Sequence, residues 1–241
     1  MSTNENAKII WDYLKEKRLN DYAAAGIMGN LKAESALNPM NLQGSYEKRL
    51  GYTDATYTAA VDNGSYNNFV KDRAGYGLAQ WTYWSRKQSL LKFAKKAGTS
   101  IGNLNMQLDF LWKELQGYKA VMSTLATASS VLEASNAILL KYERPANQGE
   151  GAQKKRAAYG QAYLDEFGAR AEEKEKPAAE DNEADAAPEA HRSYTVRRGD
   201  TLWGISKKYL GSGMKWRKIA ELNGIRGSLI RTGQVLKIPA A

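Results

Sequence analysis

The chain of 241 residues contains no cysteine. Disulfide frameworks, thiolate metal sites and cysteine nucleophiles are thereby excluded, and with them every cysteine-dependent peptidase. Histidine is nearly missing as well: the single one, His191, falls in a stretch that reads as linker. A zinc hydrolase without imidazole ligands is rare, so neither a metal nor a cofactor is expected. Long hydrophobic runs are also absent. The longest, such as Ala23 to Met28, fall far short of the ~18 to 20 apolar residues of a membrane span, and no membrane partner is expected. The opening stretch MSTNENAKIIWDYLKEKR is polar and charged where an export signal needs an apolar core. The expectation is a chain made in the cytoplasm.

What is present is charge, and it is unevenly spread. The net formal charge is +9; residues 1–168 hold 21 Lys and Arg against 16 acids, residues 169–192 hold 4 against 8, and residues 193–241 hold 10 against 2. The basic ends suit a polyanion, either nucleic acid or the anionic polymers of a bacterial wall, and charge does not choose between them. Residues 169–192 lack aromatic and β-branched side chains and alternate acids with Ala and Pro, so they cannot bury a core. They read as a flexible linker of roughly 25 to 30 Å root-mean-square span between domains at 1–168 and 193–241. Two domains so tethered can work on one polymer at once.

Upstream of the linker the apolar periodicity is helical. Ile9, Ile10, Tyr13 and Leu14 mark one helix, and Ala24, Ile27, Met28 and Leu31 the next. Leu90, Leu91, Ala94 and Ala97 stop at Gly98, and Leu104, Leu108, Leu111 and Leu115 stop at Gly117. Ser130 and Glu133 form a capping box for a helix carrying Leu132, Leu139 and Leu140 that must end before Pro145. A last helix with Tyr163, Leu164 and Phe167 closes at Gly168. Asn38 to Arg73, rich in Asn, Gly, Tyr and Thr, reads as loops with a short hairpin at most. The fold class is α+β: a mainly helical first domain with one irregular insertion, and a small βααβ second domain.

In that second domain Tyr194 and Val196 alternate as a strand, Gly199 and Asp200 turn the chain, and Thr201 caps a helix with Leu202, Ile205 and Tyr209 on one face. Trp216, Ile219 and Leu222 line a second helix, and Val235, Leu236 and Ile238 form the closing strand. From the Gly199-Asp200-Thr201-Leu202 turn to Gly233-Gln234, this run resembles the LysM family. The resemblance implies binding of N-acetylglucosamine units in a shallow groove between Gly199, Asp200, Thr201 and Leu202 on one side and Leu229 and Ile230 on the other. The plainer alternative is that Leu202, Trp203, Trp216 and Ile230 are core residues.

Two motifs carry the chemistry upstream. Glu34, in GNLKAES at 29–35, follows Leu31 by three residues, so its carboxyl continues the buried stripe of its helix. GYGLAQWT at 75–82 offers glycines that let a sugar approach the backbone, an amide in Gln80 suited to an acetamido group, and ring faces in Tyr76 and Trp81. With Glu34-Ser35 upstream, this resembles goose-type lysozymes and lytic transglycosylases, and more closely the phage tail lysozyme family. That family's pattern extends through Arg86-Lys87 to Tyr142-Glu-x-Pro145.

The resemblance implies a lysozyme-like fold, with Glu34 as general acid and Ser35, Tyr76, Gln80, Trp81 and Tyr142 along the substrate cleft. Tyr142 reads equally as a capping aromatic beside a Pro-terminated helix. For the water, Asp72 is the candidate carboxylate, because Asp72-Arg-Ala-Gly-Tyr-Gly resembles a goose-type segment one residue longer. A second goose-type Asp falls at Thr82 and is missing; Asp54 and Asp62 read as turn formers. The expected activity is muramidase cleavage of peptidoglycan, between N-acetylmuramic acid and N-acetylglucosamine, reached after lysis, holin-type release or in a phage particle. A lytic transglycosylase and a non-catalytic wall or tail protein are the alternatives. A nucleic-acid partner is not expected, since the aromatics cluster in sugar-type motifs.

Overall fold

A computed structural model describes residues 3–168, 191–197, 200–211, 215–225, 230–231 and 233–239. They fall into two compact units. The first is built of α1 (Thr3–Glu16), α2 (Asp21–Ser35), α3 (Gly44–Leu50), α4 (Asp54–Asp62), α5 (Trp84–Ala97), α6 (Leu104–Gln116), α7 (Lys119–Thr127), α8 (Val131–Ile138) and α9 (Glu150–Tyr163). Every residue of α2 from Ala23 to Leu31 is buried, so this helix is the axis of the unit.

Small residues let α2 occupy that position. A Cβ on Gly26 would stand 2.6 Å from Cβ of Ala134 on α8, and one on Gly29 would stand 2.2 Å from the carbonyl oxygen of Arg156 on α9. Gly160 of α9 is equally confined, 2.6 Å from the carbonyl oxygen of Ala25. The three helices therefore touch backbone to backbone. Asn30, wholly buried among them, donates from Nδ2 to the Gly26 carbonyl and to the carbonyl and hydroxyl oxygens of Ser135. This seam sets where α9 presents Arg156.

The segment 38–73, expected to be loops, contains α3 and α4. A reciprocal Thr53–Thr56 capping box starts α4, and Gly51 in the left-handed region ends α3. The expected hairpin reduces to isolated bridges from Tyr76 to Leu42 and to Trp81. Helix α7, which has no counterpart in the sequence reading, buries Val121 and Leu125.

Helix α8 runs on into a π-helical turn, Leu139–Glu143, closed by Arg144 donating its backbone N–H to the Leu139 carbonyl at 2.9 Å. Leu132 and Leu140, expected on the apolar stripe, are exposed; Val131, Ala134, Ile138, Leu139 and Tyr142 form it. Tyr142 in this turn is buried, and the following Glu143 is half-buried. A second π-helical turn, Leu164–Gly168, is the last described element of the unit.

In the second unit β1 (His191–Thr195) pairs antiparallel with β2 (Val235–Pro239), and α10 (Leu202–Leu210) and α11 (Trp216–Leu222) complete the βααβ order. Val196, Leu202, Ile205, Leu210, Ile219, Ala220, Leu236 and Ile238 make its core. His191 and Arg192, expected in the linker, belong to β1; residues 169–190 lie outside the described set. Among the described residues no helix is long and apolar enough to cross a membrane.

Candidate active site

At the C-terminal end of α2, Glu34 Oε1 lies 2.6 Å from Nη2 of Arg156, and the Glu34 side chain keeps 16% of its surface open. Asn30 steadies the cation, its backbone and side-chain oxygens accepting from Arg156 Nη1 at 3.4 and 3.2 Å. The next residues, Ala36 and Leu37, both take positive φ, 53° and 63°, which breaks the helix sharply under the carboxylate.

A second carboxyl lies within electrostatic reach. Burial pushes Glu143 up to about 8; Glu34 and Glu114 add to the rise, and Arg86 and Arg156 oppose it. Its Oε1 is shut off from water and has no hydrogen-bond partner in the protein. Such an unsatisfied oxygen costs about 1 to 3 kcal/mol. The Tyr-Glu-x-Pro motif contains Glu143, whose burial signal is not carried by the apolar pattern that marks Tyr142.

The other expected site residues are held by the fold. Asp72 is buried, and all its lone-pair sites are engaged: Oδ1 accepts from Lys87 Nζ at 2.5 Å and Ala74 N at 2.9 Å, Oδ2 from Tyr57 and Tyr66 hydroxyls at 2.5 and 3.1 Å. Lys87 is itself fully buried and donates also to the Ala74 carbonyl. Burial lowers the proton affinity of this lysine and Asp72 opposes the drop. Asp72, expected to guide water, is thus placed as the counter-ion of a core lysine. Asp54 accepts from Leu42 N and Asn38 Nδ2, and Asp62 from Ile101 N, so both organise turns.

Tyr76 and Trp81 are wholly buried and cannot offer faces to a sugar. Tyr76 shares a hydrogen bond with Thr58 at 2.7 Å, and Trp81 donates from Nε1 to Glu114 at 2.7 Å. Glu114 also takes a bidentate pair from Arg86 and a bond from the Tyr142 hydroxyl, to which Arg86 donates as well. Tyr142, expected along the cleft, is buried and belongs to this polar network. Ser35, expected to meet substrate, is buried and donates to the carbonyls of Leu31 and Leu78, tying α2 to the Gln80 loop.

The motif glycines likewise make room for protein. A Cβ on Gly75 would press on Gln80 Oε1, and one on Gly77, at φ 75°, on Gln107, each at 2.6 Å. Gln80 itself, at φ 45°, donates to Asn41 at 2.8 Å and remains half-buried. The open rings beside this loop are Tyr83 and Trp84, 63% and 53% exposed, with centroids 6.0 Å apart.

The phage tail lysozyme profile matches residues 5–167. The chain belongs to the phage tail lysozyme family. The LysM domain profile matches residues 194–239 of this family member. Two LysM-bearing relatives are a probable peptidoglycan endopeptidase LytE of Bacillus subtilis and an autolysin of Enterococcus faecalis. The first is 50% identical over 46 residues, 19% of this chain and 13% of that one; the second is 45% identical over 47 residues, 20% and 6%. An uncharacterized protein of Deinococcus radiodurans is 32% identical over 112 residues, 45% of this chain and 43% of that one. The lysozyme family member thus spans less than half the length of each of these relatives.

In its LysM domain, Leu202 is a core residue, which corrects the expectation of a sugar contact, and Ile230 packs half-buried on that core. Asp200 Oδ2 accepts from the Tyr194 hydroxyl at 2.6 Å and Arg197 N at 2.7 Å, and Thr201 Oγ1 caps α10 by accepting from Gly204 N. Gly199 and Leu229 lie outside the described residues.

Proposed function

We propose that the chain cleaves the glycan strands of peptidoglycan as a muramidase, with Glu34 as the general acid and the LysM domain holding N-acetylglucosamine units of the same polymer. The observation that carries this reading is the Glu34 carboxylate, paired with Arg156 yet still partly open to solvent, with the Glu143 carboxyl in electrostatic reach. Glycoside cleavage requires a carboxyl that delivers a proton to the glycosidic oxygen as the bond to the anomeric carbon breaks. Tyr83 and Trp84, exposed beside the Gln80 loop, offer open faces for sugar rings. The basic C-terminal stretch adds attraction for anionic wall polymers. We place the action on the wall, after release from the producing cell or from a phage particle.

A lytic transglycosylase is the second reading, favoured by the engagement of Asp72. When the muramic 6-hydroxyl replaces water as nucleophile, no separate carboxylate is needed to guide water. Mass spectrometry of digested peptidoglycan separates the two: reducing ends alone mean hydrolysis, and 1,6-anhydro ends overturn the muramidase assignment. The shared premise is tested by Glu34→Gln, which should lose wall clearing while the protein still binds peptidoglycan through LysM.

A further inference from the structure

The guanidinium of Arg156 holds two residues of α2 at once. It donates from Nη2 to Glu34 Oε1 at 2.6 Å, and from Nη1 to the backbone and side-chain oxygens of Asn30 at 3.4 and 3.2 Å. Glu34 and Asn30 stand one helical turn apart, so both anchors lie on the same face of α2. Asn30 is in turn fixed by donating to the Gly26 carbonyl and to both oxygens of Ser135. The backbone carrying the cation is fixed too. A Cβ on Gly29 would stand 2.2 Å from the Arg156 carbonyl oxygen, and one on Gly160 would stand 2.6 Å from that of Ala25, so α9 sits directly on α2.

The hold on Glu34 is one-sided. Oε1 is taken, whereas Oε2 accepts no hydrogen bond from the described residues, and the side chain keeps 16% of its surface open. A carboxylic acid needs one oxygen for its proton and keeps the other as an acceptor, which matches this division. When the proton leaves, the acceptor becomes part of an anion. Its bond from a guanidinium is then charge-assisted and roughly twice as strong. An interaction that strengthens as the proton departs lowers the barrier to that departure.

We propose that Arg156 is a positioning residue for glycosidic cleavage: it fixes Glu34 through Oε1, so that Oε2 carries the proton to the glycosidic oxygen, and it stabilises the carboxylate left behind. This rests on Glu34 being the acid. The Oε2–H bond breaks as an O–H bond forms on the departing sugar oxygen. That oxygen keeps the electron pair of its bond to the anomeric carbon. The negative charge stays on Glu34, against Arg156. The nucleophile, water or the muramic 6-hydroxyl, bonds to the anomeric carbon and returns its proton to Oε2, directly or through solvent.

The experiment measures kcat and KM on a soluble peptidoglycan fragment for the full chain, Arg156→Ala, Arg156→Lys and Glu34→Gln, with circular dichroism to count the folded fraction. Arg156→Ala should lose about 10²- to 10³-fold in kcat at a KM close to the parent's, because the lost bond acts in the transition state. The pair keeps 11% and 16% of its side chains open, so a small cation can enter the vacated space. Millimolar guanidinium should restore kcat about tenfold, and sodium chloride at the same ionic strength should not. A purely structural arginine would show no such rescue. An Arg156→Ala enzyme with the parent's kcat overturns the proposal, as does a loss that guanidinium leaves unchanged; in both cases an inactive Glu34→Gln keeps Glu34 as the acid. A fully active Glu34→Gln instead overturns the reading beneath it. Should Arg156→Ala not fold, Arg156→Lys decides. It keeps the charge, but its single nitrogen cannot reproduce the fork that spans Asn30 and Glu34, so kcat per folded molecule should fall at least about fivefold. The parent's kcat in that variant overturns the proposal.

Discussion

Two carboxylate–cation pairs among the described residues of the first unit, Asp72–Lys87 and Glu34–Arg156, look alike in outline and differ in what surrounds them. Asp72 and Lys87 are both wholly shut from water at 2.5 Å, and every acceptor position on the aspartate is filled. Glu34 and Arg156 keep 16% and 11% of their side chains open, and Glu143, within their electrostatic reach, has an oxygen with no donor at all. A fully saturated buried pair can only hold its surroundings in place, because any new partner must first displace an existing bond. An unsaturated pair at the surface of the core retains capacity for a substrate and a proton. Saturation, rather than burial or charge, distinguishes the carboxylate that builds the loop from the one suited to chemistry.

The largest effects should come from exchanging the two roles. Glu34→Gln should lower kcat by about 10²- to 10⁴-fold, with a thermal midpoint close to the parent's. Asp72→Asn leaves Lys87 buried without a counter-charge and should cost about 3 to 5 kcal/mol of stability, on the order of 10 °C in the midpoint. Its folded fraction should still clear walls at low temperature. Circular dichroism melts and turbidity assays on both variants check this; a stable but inactive Asp72→Asn would break the comparison.

A smaller effect separates the pairs by pH. Folding raises the Glu143 carboxyl to about 8, so between the ordinary glutamate range and that value the folded state binds more protons than the unfolded one. Stability therefore falls as pH rises through that window, and the loss is complete above about 8. Glu143→Gln should remove this slope, so its midpoint should gain on the parent's between about pH 5 and 8. Thermal denaturation across that range measures it, and parallel curves for the two proteins would contradict the raised Glu143 carboxyl.

Much of this frame was legible in the sequence because helix stripes and glycine stops are local signals. Leu90 to Ala97 ending at Gly98, and Leu104 to Leu115 ending at Gly117, appear as helices that stop there. The helices α3 and α4 were not legible, since seven and nine residues of mixed polar composition carry too little periodicity. Glu34 stood out because a carboxyl extended an apolar stripe. Glu143 did not, because the groups that act on its carboxyl, Glu34, Glu114, Arg86 and Arg156, lie on four other elements and far from it in sequence. Tyr76 and Trp81 misled for a related reason: an aromatic flanked by glycines, or one beside a glutamine, suggests a binding face, yet the apolar Leu78 and Ala79 between them already mark a loop folded into the core.

The smallest expected effect carries the comparison from carboxylates to rings. Trp81 is wholly buried with its indole N–H bonded to Glu114, whereas Trp84, three residues on, is 53% exposed beside an equally open Tyr83. Trp81→Phe removes one donor from Glu114 inside the polar network and should lower the thermal midpoint by a few degrees, a loss of about 1 to 2 kcal/mol. Trp84→Ala deletes a ring that packs on little of the protein, so the midpoint should hardly move. If sugars stack there, removing the face should weaken ground-state and transition-state binding alike by about 1 kcal/mol, raising KM roughly fivefold at unchanged kcat. Steady-state kinetics on a soluble peptidoglycan fragment distinguish the outcomes. A Trp84→Ala enzyme with the parent's KM would leave Tyr83 and the Gln80 loop to hold the strand, and would confine the contrast between saturated and open groups to the carboxylates.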